Sequence, residues 1–179
     1  MRDIDCGQIT AGVARMCQEA NFDLGAGVIE ALQKARDGEP NERARGILES
    51  LLENAEIARD EHIPMCQDTG YLVAFVELGQ EAHIVGGSLV EAINEGARQG
   101  YADGFLRKSV LNDPLLRENT GDNTPAVIHT EVVPGDRLEI TVAPKGGGSE
   151  NMSSVKMLTP AIGREGVMEY VVEQVREAQ

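Results

Sequence analysis

The hydrophobic period of this chain changes near residue 60, and that change restricts the fold more than any other feature. Before it, apolar residues recur at helical spacing. Ile9, Val13, Met16 and Cys17 do so within residues 4–20, and Val28, Ile29 and Leu32 within residues 25–36. A third run, residues 42 to about 58, carries Ala44, Ile47, Leu48, Leu51, Leu52 and Ala55, with Asn41 placed as its N-cap after the break Asp37-Gly38-Glu39-Pro40. Beyond residue 60 the runs shorten. Residues 71–78 (YLVAFVEL), between Gly70 and Gly79, read as a strand. Ser88 caps a helix to about Tyr101 with Leu89, Ala92, Ile93 and Ala97 on one face. Residues 126–133 and 137–143 flank Pro134-Gly135-Asp136 and predict a hairpin. Thr159-Pro160 signals a last helix, periodic at Val167, Met168, Val171 and Val175. The expected class is α+β: N-terminal helices packed with a small, largely antiparallel β-sheet. Residues 1–179 are expected to form one domain, helical over 1–60 and mixed over 61–179.

Charge excludes some functions. Thirty acidic against 16 basic side chains give a net charge of −14, which repels phosphate backbones, and three Tyr, three Phe and no Trp offer little for base stacking. Nucleic acid is therefore not an expected partner. No stretch approaches the roughly 20 apolar residues of a membrane span, and the opening MRDIDCGQIT lacks a signal-peptide core. No membrane partner is expected, and the expected location is the cytoplasm. Cys6, Cys17 and Cys66 are odd in number and widely spaced, the pattern of free thiols.

Three polar, glycine-bearing segments are candidates for chemistry. Residues 63–70 (IPMCQDTG) set a thiol, an amide, a carboxylate and a hydroxyl before the strand; the plain alternative is a turn with a buried Cys66. Residues 101–123 bring Arg107, Lys108 and Arg117 into an acidic chain, suited to a carboxylate ligand or to surface pairs with Asp103, Asp113 or Glu118. Residues 145–153 (KGGGSENMS) can turn backbone N–H groups toward an anion or serve as a flexible connector; no P-loop is formed. His62, His83 and His129 have no paired metal-binding spacing.

Taken together, MCQDTG (65–70), GYADGFLRKSV (100–110), NTGDNTPAVIH (119–129) and KGGGSENMSSVKML (145–158) resemble the iron–sulfur-dependent class I fumarate hydratases. The closer likeness is to the α-type domain shared with L(+)-tartrate dehydratase. The resemblance implies a [4Fe–4S] cluster held by three cysteines, of which Cys66 matches one. The next family ligand lies in a CPP motif after a helix like the last one here, so the chain is expected to stop short of it. A chain so built is expected to be inactive alone, completed by a β-subunit or a C-terminal domain within a homo- or hetero-oligomer. The implied reaction is reversible hydration of fumarate to (S)-malate, a C4-dicarboxylate chemistry, with the cluster iron as Lewis acid. Asp68 is then the candidate for proton transfer at C3. Gln67, Arg107 and the backbone of Gly146, Gly147 and Gly148 are candidates for binding substrate. Lys145, Ser149 and Asn151 are weaker candidates. L(+)-tartrate dehydration and a non-catalytic subunit-docking module are the alternative expectations.

Overall fold

A computed structural model of the chain describes residues 2–178, the side chains of Ser149 and Glu150 excepted. Two compact units form, Met1–Gly146 and Gly147–Gln179.

In the first unit the elements run β1 (Arg2–Asp5), α1 (Cys6–Phe22), α2 (Ala26–Gly38), α3 (Glu42–Glu61), β2 (Tyr71–Gly79), β3 (Ala82–Val85), α4 (Leu89–Asp103), β4 (Val127–Val133) and β5 (Leu138–Lys145). The helix boundaries follow the sequence signals closely. Asn41 Oδ1 accepts from the N–H groups of Arg43 (3.0 Å) and Ala44 (3.2 Å), as an N-cap should. Residues 2–5 are not part of the first helix. They pair in parallel with β3, and Asp5 Oδ1 caps α1 through the Gly7 N–H.

The α+β class holds, but the sheet is not largely antiparallel. Its order is β4-β2-β5, with β2 parallel to β4 and antiparallel to β5. The apolar runs on either side of Pro134-Gly135-Asp136 therefore do not pair with each other. Both take β2 as partner, since β2 is the most deeply buried strand, with Leu72, Ala74 and Val76 facing inward. Strands separated by one strand lie about 10 Å apart, a gap that residues 134–137 cover easily at roughly 3.3 Å each. The link passes over the end of β2: Gly79 N–H donates to Arg137 C=O and Gln80 N–H to Val133 C=O, both at 2.8 Å.

The core lies between this sheet and the pair α1–α4. Ile9, Val13 and Cys17 of α1 meet Ala92, Ile93 and Ala97 of α4, with Leu138, Ile140 and Val142 of β5 packed against them. The two helices approach closely because α4 turns glycines toward α1. An ideal Cβ at Gly96 would stand 2.7 Å from Thr10 C=O, and one at Gly100 2.7 Å from Ala14 C=O. Helices α2 and α3 contribute little to this core: α2 buries no residue and α3 buries only Ala55 and Ala58. The outer face of the sheet is open, with Phe75 stacked on its register partner His129 at a centroid separation of 5.3 Å.

The second unit holds two short 3₁₀ turns and α5 (Gly163–Glu177). Within it Lys156 lies over the Tyr170 ring, 4.8 Å from its centroid, and Ser154 shares a 2.7 Å hydrogen bond with the Tyr170 hydroxyl. The apolar positions Val167, Met168, Val171 and Val175 are exposed. No helix among the described residues is long and apolar enough to cross a membrane.

Candidate active site

The turn before β2 is pinned from several sides. Gly70 takes φ +64°, and its N–H donates to Asp68 Oδ1 at 3.1 Å, closing an Asx turn over the carboxylate. A side chain at Gly70 would strike the Lys145 backbone, its Cβ 2.3 Å from the carbonyl carbon. At Gly146 an ideal Cβ would stand 2.9 Å from Asp68 Oδ2. The absence of side chains at 70 and 146 thus lets the end of β5 run directly past Asp68.

Helix α4 supplies the rest of the support. Asn94, Arg98 and Tyr101 occupy i, i+4 and i+7, one face of the helix, and each holds a different part of the loops. The buried Tyr101 hydroxyl donates to Thr69 C=O at 2.9 Å. Arg98 Nε donates to Asp122 Oδ2 at 2.9 Å, and Asn94 Oδ1 accepts from the Ala126 N–H at 2.8 Å. The Arg98 guanidinium, aided by the Thr124 hydroxyl at 2.8 Å, holds the Asp122 carboxyl well below the usual carboxylate range. Burial pushes the Tyr101 phenol up, so it remains a neutral donor.

The helix ends in a left-handed residue, Phe105 (φ 52°), with Leu106 N–H returning to Tyr101 C=O at 3.0 Å. That reversal carries Arg107 to Thr69, whose hydroxyl donates to the Arg107 C=O at 2.8 Å. Asn123 completes the network. It is fully buried; its Nδ2 donates to Gly70 C=O (3.1 Å), and its Oδ1 accepts from Ser109 (2.6 Å) and Val110 (3.1 Å) N–H groups.

Of the residues expected from the sequence, Asp68 is half-buried in the turn and Gly146 lies against its carboxylate. Gln67 and Arg107 are exposed, and the Arg107 main chain is tied to the residue following Asp68. Gly147 and Gly148 belong to the second unit and are exposed, as is Asn151; the Ser149 side chain lies outside the described residues. The Lys145 ammonium donates to the Gly146 C=O. Among the described residues, Arg98 rather than Arg107 or Arg117 makes the ion pairs in this region. The supporting residues Asn94, Arg98, Tyr101 and Asn123 were not anticipated, although the polar i, i+4, i+7 spacing inside an amphipathic helix was a legible signal.

The cysteines divide sharply. Cys66 is exposed beside Gln67, whereas Cys6 and Cys17 are buried in α1. Burial pushes the Cys17 thiol up to about 12, far from the thiolate a metal requires. No three His, Cys, Asp or Glu side chains among the described residues stand together as a metal site. The donor set therefore suits one thiolate contact to a cluster and does not make a complete cluster site.

The fumarate hydratase (Fumerase) family profile matches residues 10–179. The chain belongs to that family. A relative from Methanocaldococcus jannaschii, provisionally named L(+)-tartrate dehydratase subunit alpha, is 35% identical over 96% of this chain and 62% of its own length. L(+)-tartrate dehydratase alpha subunits from Escherichia coli (29%) and Shigella sonnei (28%) match over 83% of this chain and 50% of theirs. This member of the fumarate hydratase family thus spans one half to about three-fifths of the length of these relatives.

Proposed function

We propose that the chain is the α-type portion of an iron–sulfur hydro-lyase that reversibly hydrates fumarate to (S)-malate in the cytoplasm. The observation that carries this reading is the convergence at one end of β2: the Asp68 carboxylate, the backbone of Gly146 and the Arg107 loop meet on one rigid support. In this reading Asp68 moves the proton at C3. Its turn fixes one oxygen through the Gly70 N–H, so the carboxylate keeps a defined direction. Arg107 clamps a substrate carboxylate through its guanidinium fork, and Gln67 donates an amide hydrogen bond to it. The backbone of Gly146, with Gly147 and Gly148, adds N–H donors.

Cys66 supplies one thiolate to a [4Fe–4S] cluster whose remaining ligands come from a β-subunit or further domain. The same partner completes the oligomer and the substrate site. The names of the relatives favour a second reading, dehydration of L(+)-tartrate on the same scaffold.

The test is an anaerobic assay of the complete enzyme on fumarate and L(+)-tartrate, each with Asp68→Asn alongside. A loss of roughly 10²–10⁴-fold on the preferred substrate is expected. Full activity in Asp68→Asn removes Asp68 from catalysis. The 179-residue chain alone, offered iron and sulfide, is expected to show no turnover. Turnover by it would overturn the claim that the site is completed from outside.

A further inference from the structure

We infer that Asn123 is a positioning residue that sets the separation between the Asp68 turn and the Arg107 loop. The inference rests on the hydro-lyase reading for what that separation is used for. The tie itself follows from the geometry alone.

Asn123 is polar yet 0% exposed, a placement that costs free energy unless every bond is made. Three hydrogen bonds from its side chain to backbone groups go to the two motif segments. Its Nδ2 grips Gly70 C=O, two residues after Asp68. Its Oδ1 takes the N–H groups of Ser109 and Val110, two and three residues after Arg107. The same short side chain must therefore donate and accept in opposite directions, which an amide does through two separate atoms, whereas an ionised carboxylate cannot donate and a hydroxyl has a single oxygen for both tasks. The backbone at 123 is left-handed (φ 63°), a conformation Asn tolerates better than most residues.

The position of Asn123 is fixed from both flanks by α4. Arg98 holds Asp122 on one side, and Asn94 holds the Ala126 N–H on the other. A residue anchored in this way transmits the position of the helix to both loops at once. The Thr69–Arg107 bond joins the same loops a second time, so their relative placement is fixed at two points. A pair of substrate-binding and proton-transferring groups works only when its spacing matches the substrate, and a misplacement of about 1 Å can cost on the order of 10²-fold in rate.

Two measurements test the inference. In the 179-residue chain, amide hydrogen exchange and the Gly70 carbonyl carbon chemical shift are compared between wild type, Asn123→Ser and Asn123→Asp. In Asn123→Ser the Ser109 and Val110 amides, which donate to Asn123 Oδ1, should lose protection together, at least tenfold, and the Gly70 carbonyl carbon shift should move as its C=O loses the Nδ2 donor, while α1 and α4 amides stay protected. In Asn123→Asp, which keeps the acceptor and removes the donor, the Gly70 carbonyl carbon shift should move while the Ser109 and Val110 amides keep their protection. An unchanged Gly70 carbonyl carbon shift in both variants, or unchanged Ser109 and Val110 exchange in Asn123→Ser, overturns the inference. So does equal loss throughout the α1–α4 core, which would make Asn123 a general stability residue.

In the complete enzyme, Asn123→Ser should lower kcat and raise KM together, with kcat/KM falling roughly 10²-fold. The kcat effect should vanish in an Asp68→Asn background, a non-additivity that a merely structural residue does not produce. Additive effects overturn the positioning role. If the wild-type enzyme turns over neither dicarboxylate, the hydro-lyase reading fails while the exchange measurement still decides whether Asn123 couples the loops.

Discussion

Two glycine-to-alanine substitutions of identical chemistry should move the stability of this chain in opposite directions. Gly12 lies in the interior of α1, and an ideal Cβ there meets nothing within 4 Å. Gly12→Ala therefore gains only helix propensity, about 0.8–1.0 kcal/mol. Gly100 lies in α4 against α1, and its ideal Cβ would stand 2.7 Å from Ala14 C=O, 2.8 Å from Cys17 Cβ and 3.1 Å from Ala14 Cα. Two of those three atoms are backbone, so no rotamer change relieves the contact. Restoring ordinary separation requires the helices to part by roughly half an ångström along a close-packed seam, and overpacking of this kind costs about 1–3 kcal/mol. Set against the same propensity gain, the net effect of Gly100→Ala is a loss of up to about 2 kcal/mol. Urea unfolding of the two variants beside the wild type measures both signs, and at this size each kcal/mol corresponds to roughly 2–4 °C in Tm. Stabilisation of Gly100→Ala equal to that of Gly12→Ala would refute the close approach of α1 and α4.

Other outcomes follow from the site. Gly146→Ala places a methyl group 2.9 Å from Asp68 Oδ2 and should cut kcat of the complete enzyme roughly 10²-fold while the far-UV circular dichroism stays unchanged; wild-type turnover would show that the carboxylate does not need that space. The Asp122 carboxyl is held low by Arg98, so its contribution to stability is present above the ordinary Asp value of about 3.9 and fades as pH falls through the depressed folded value. Asp122→Asn should therefore be less stable than wild type at neutral pH and lose less between about pH 4 and pH 2, read by urea midpoints across that range. A thiol reagent should modify Cys66 in the native chain and reach Cys6 and Cys17 only after unfolding; fast modification of all three would contradict the burial of the α1 thiols.

The helical elements were legible because amphipathic periodicity and caps are local properties: Asn41 caps α3, and Ile9, Val13 and Cys17 form the buried stripe of α1. The sheet was harder to read. Proximity along the chain suggested that β4 and β5 pair, but strand pairing is set by which strand offers both edges and a buried face, and β2 does so from far away in sequence. Strand β1 went unseen because four residues carry too short a pattern to separate from the helix that follows. At the candidate site, the proposed residues with conspicuous chemistry (Cys66, Asp68, Arg107) stand in motifs that are legible in the sequence. Asn123 and Tyr101 did not, since their importance lies in hydrogen bonds that cross 53 and 32 residues of sequence.

Helix α4 has two working faces. One stripe, through Ala92, Gly96 and Gly100, fits against α1, and another, through Asn94, Arg98 and Tyr101, carries the loops. A scan of every single substitution would therefore find these two stripes about as intolerant as the loops themselves. No side chain of α4 is assigned a part in handling substrate. Intolerance along residues 89–103 would mark the mounting of the site, and a catalytic assignment made from such a scan alone would name the wrong residues.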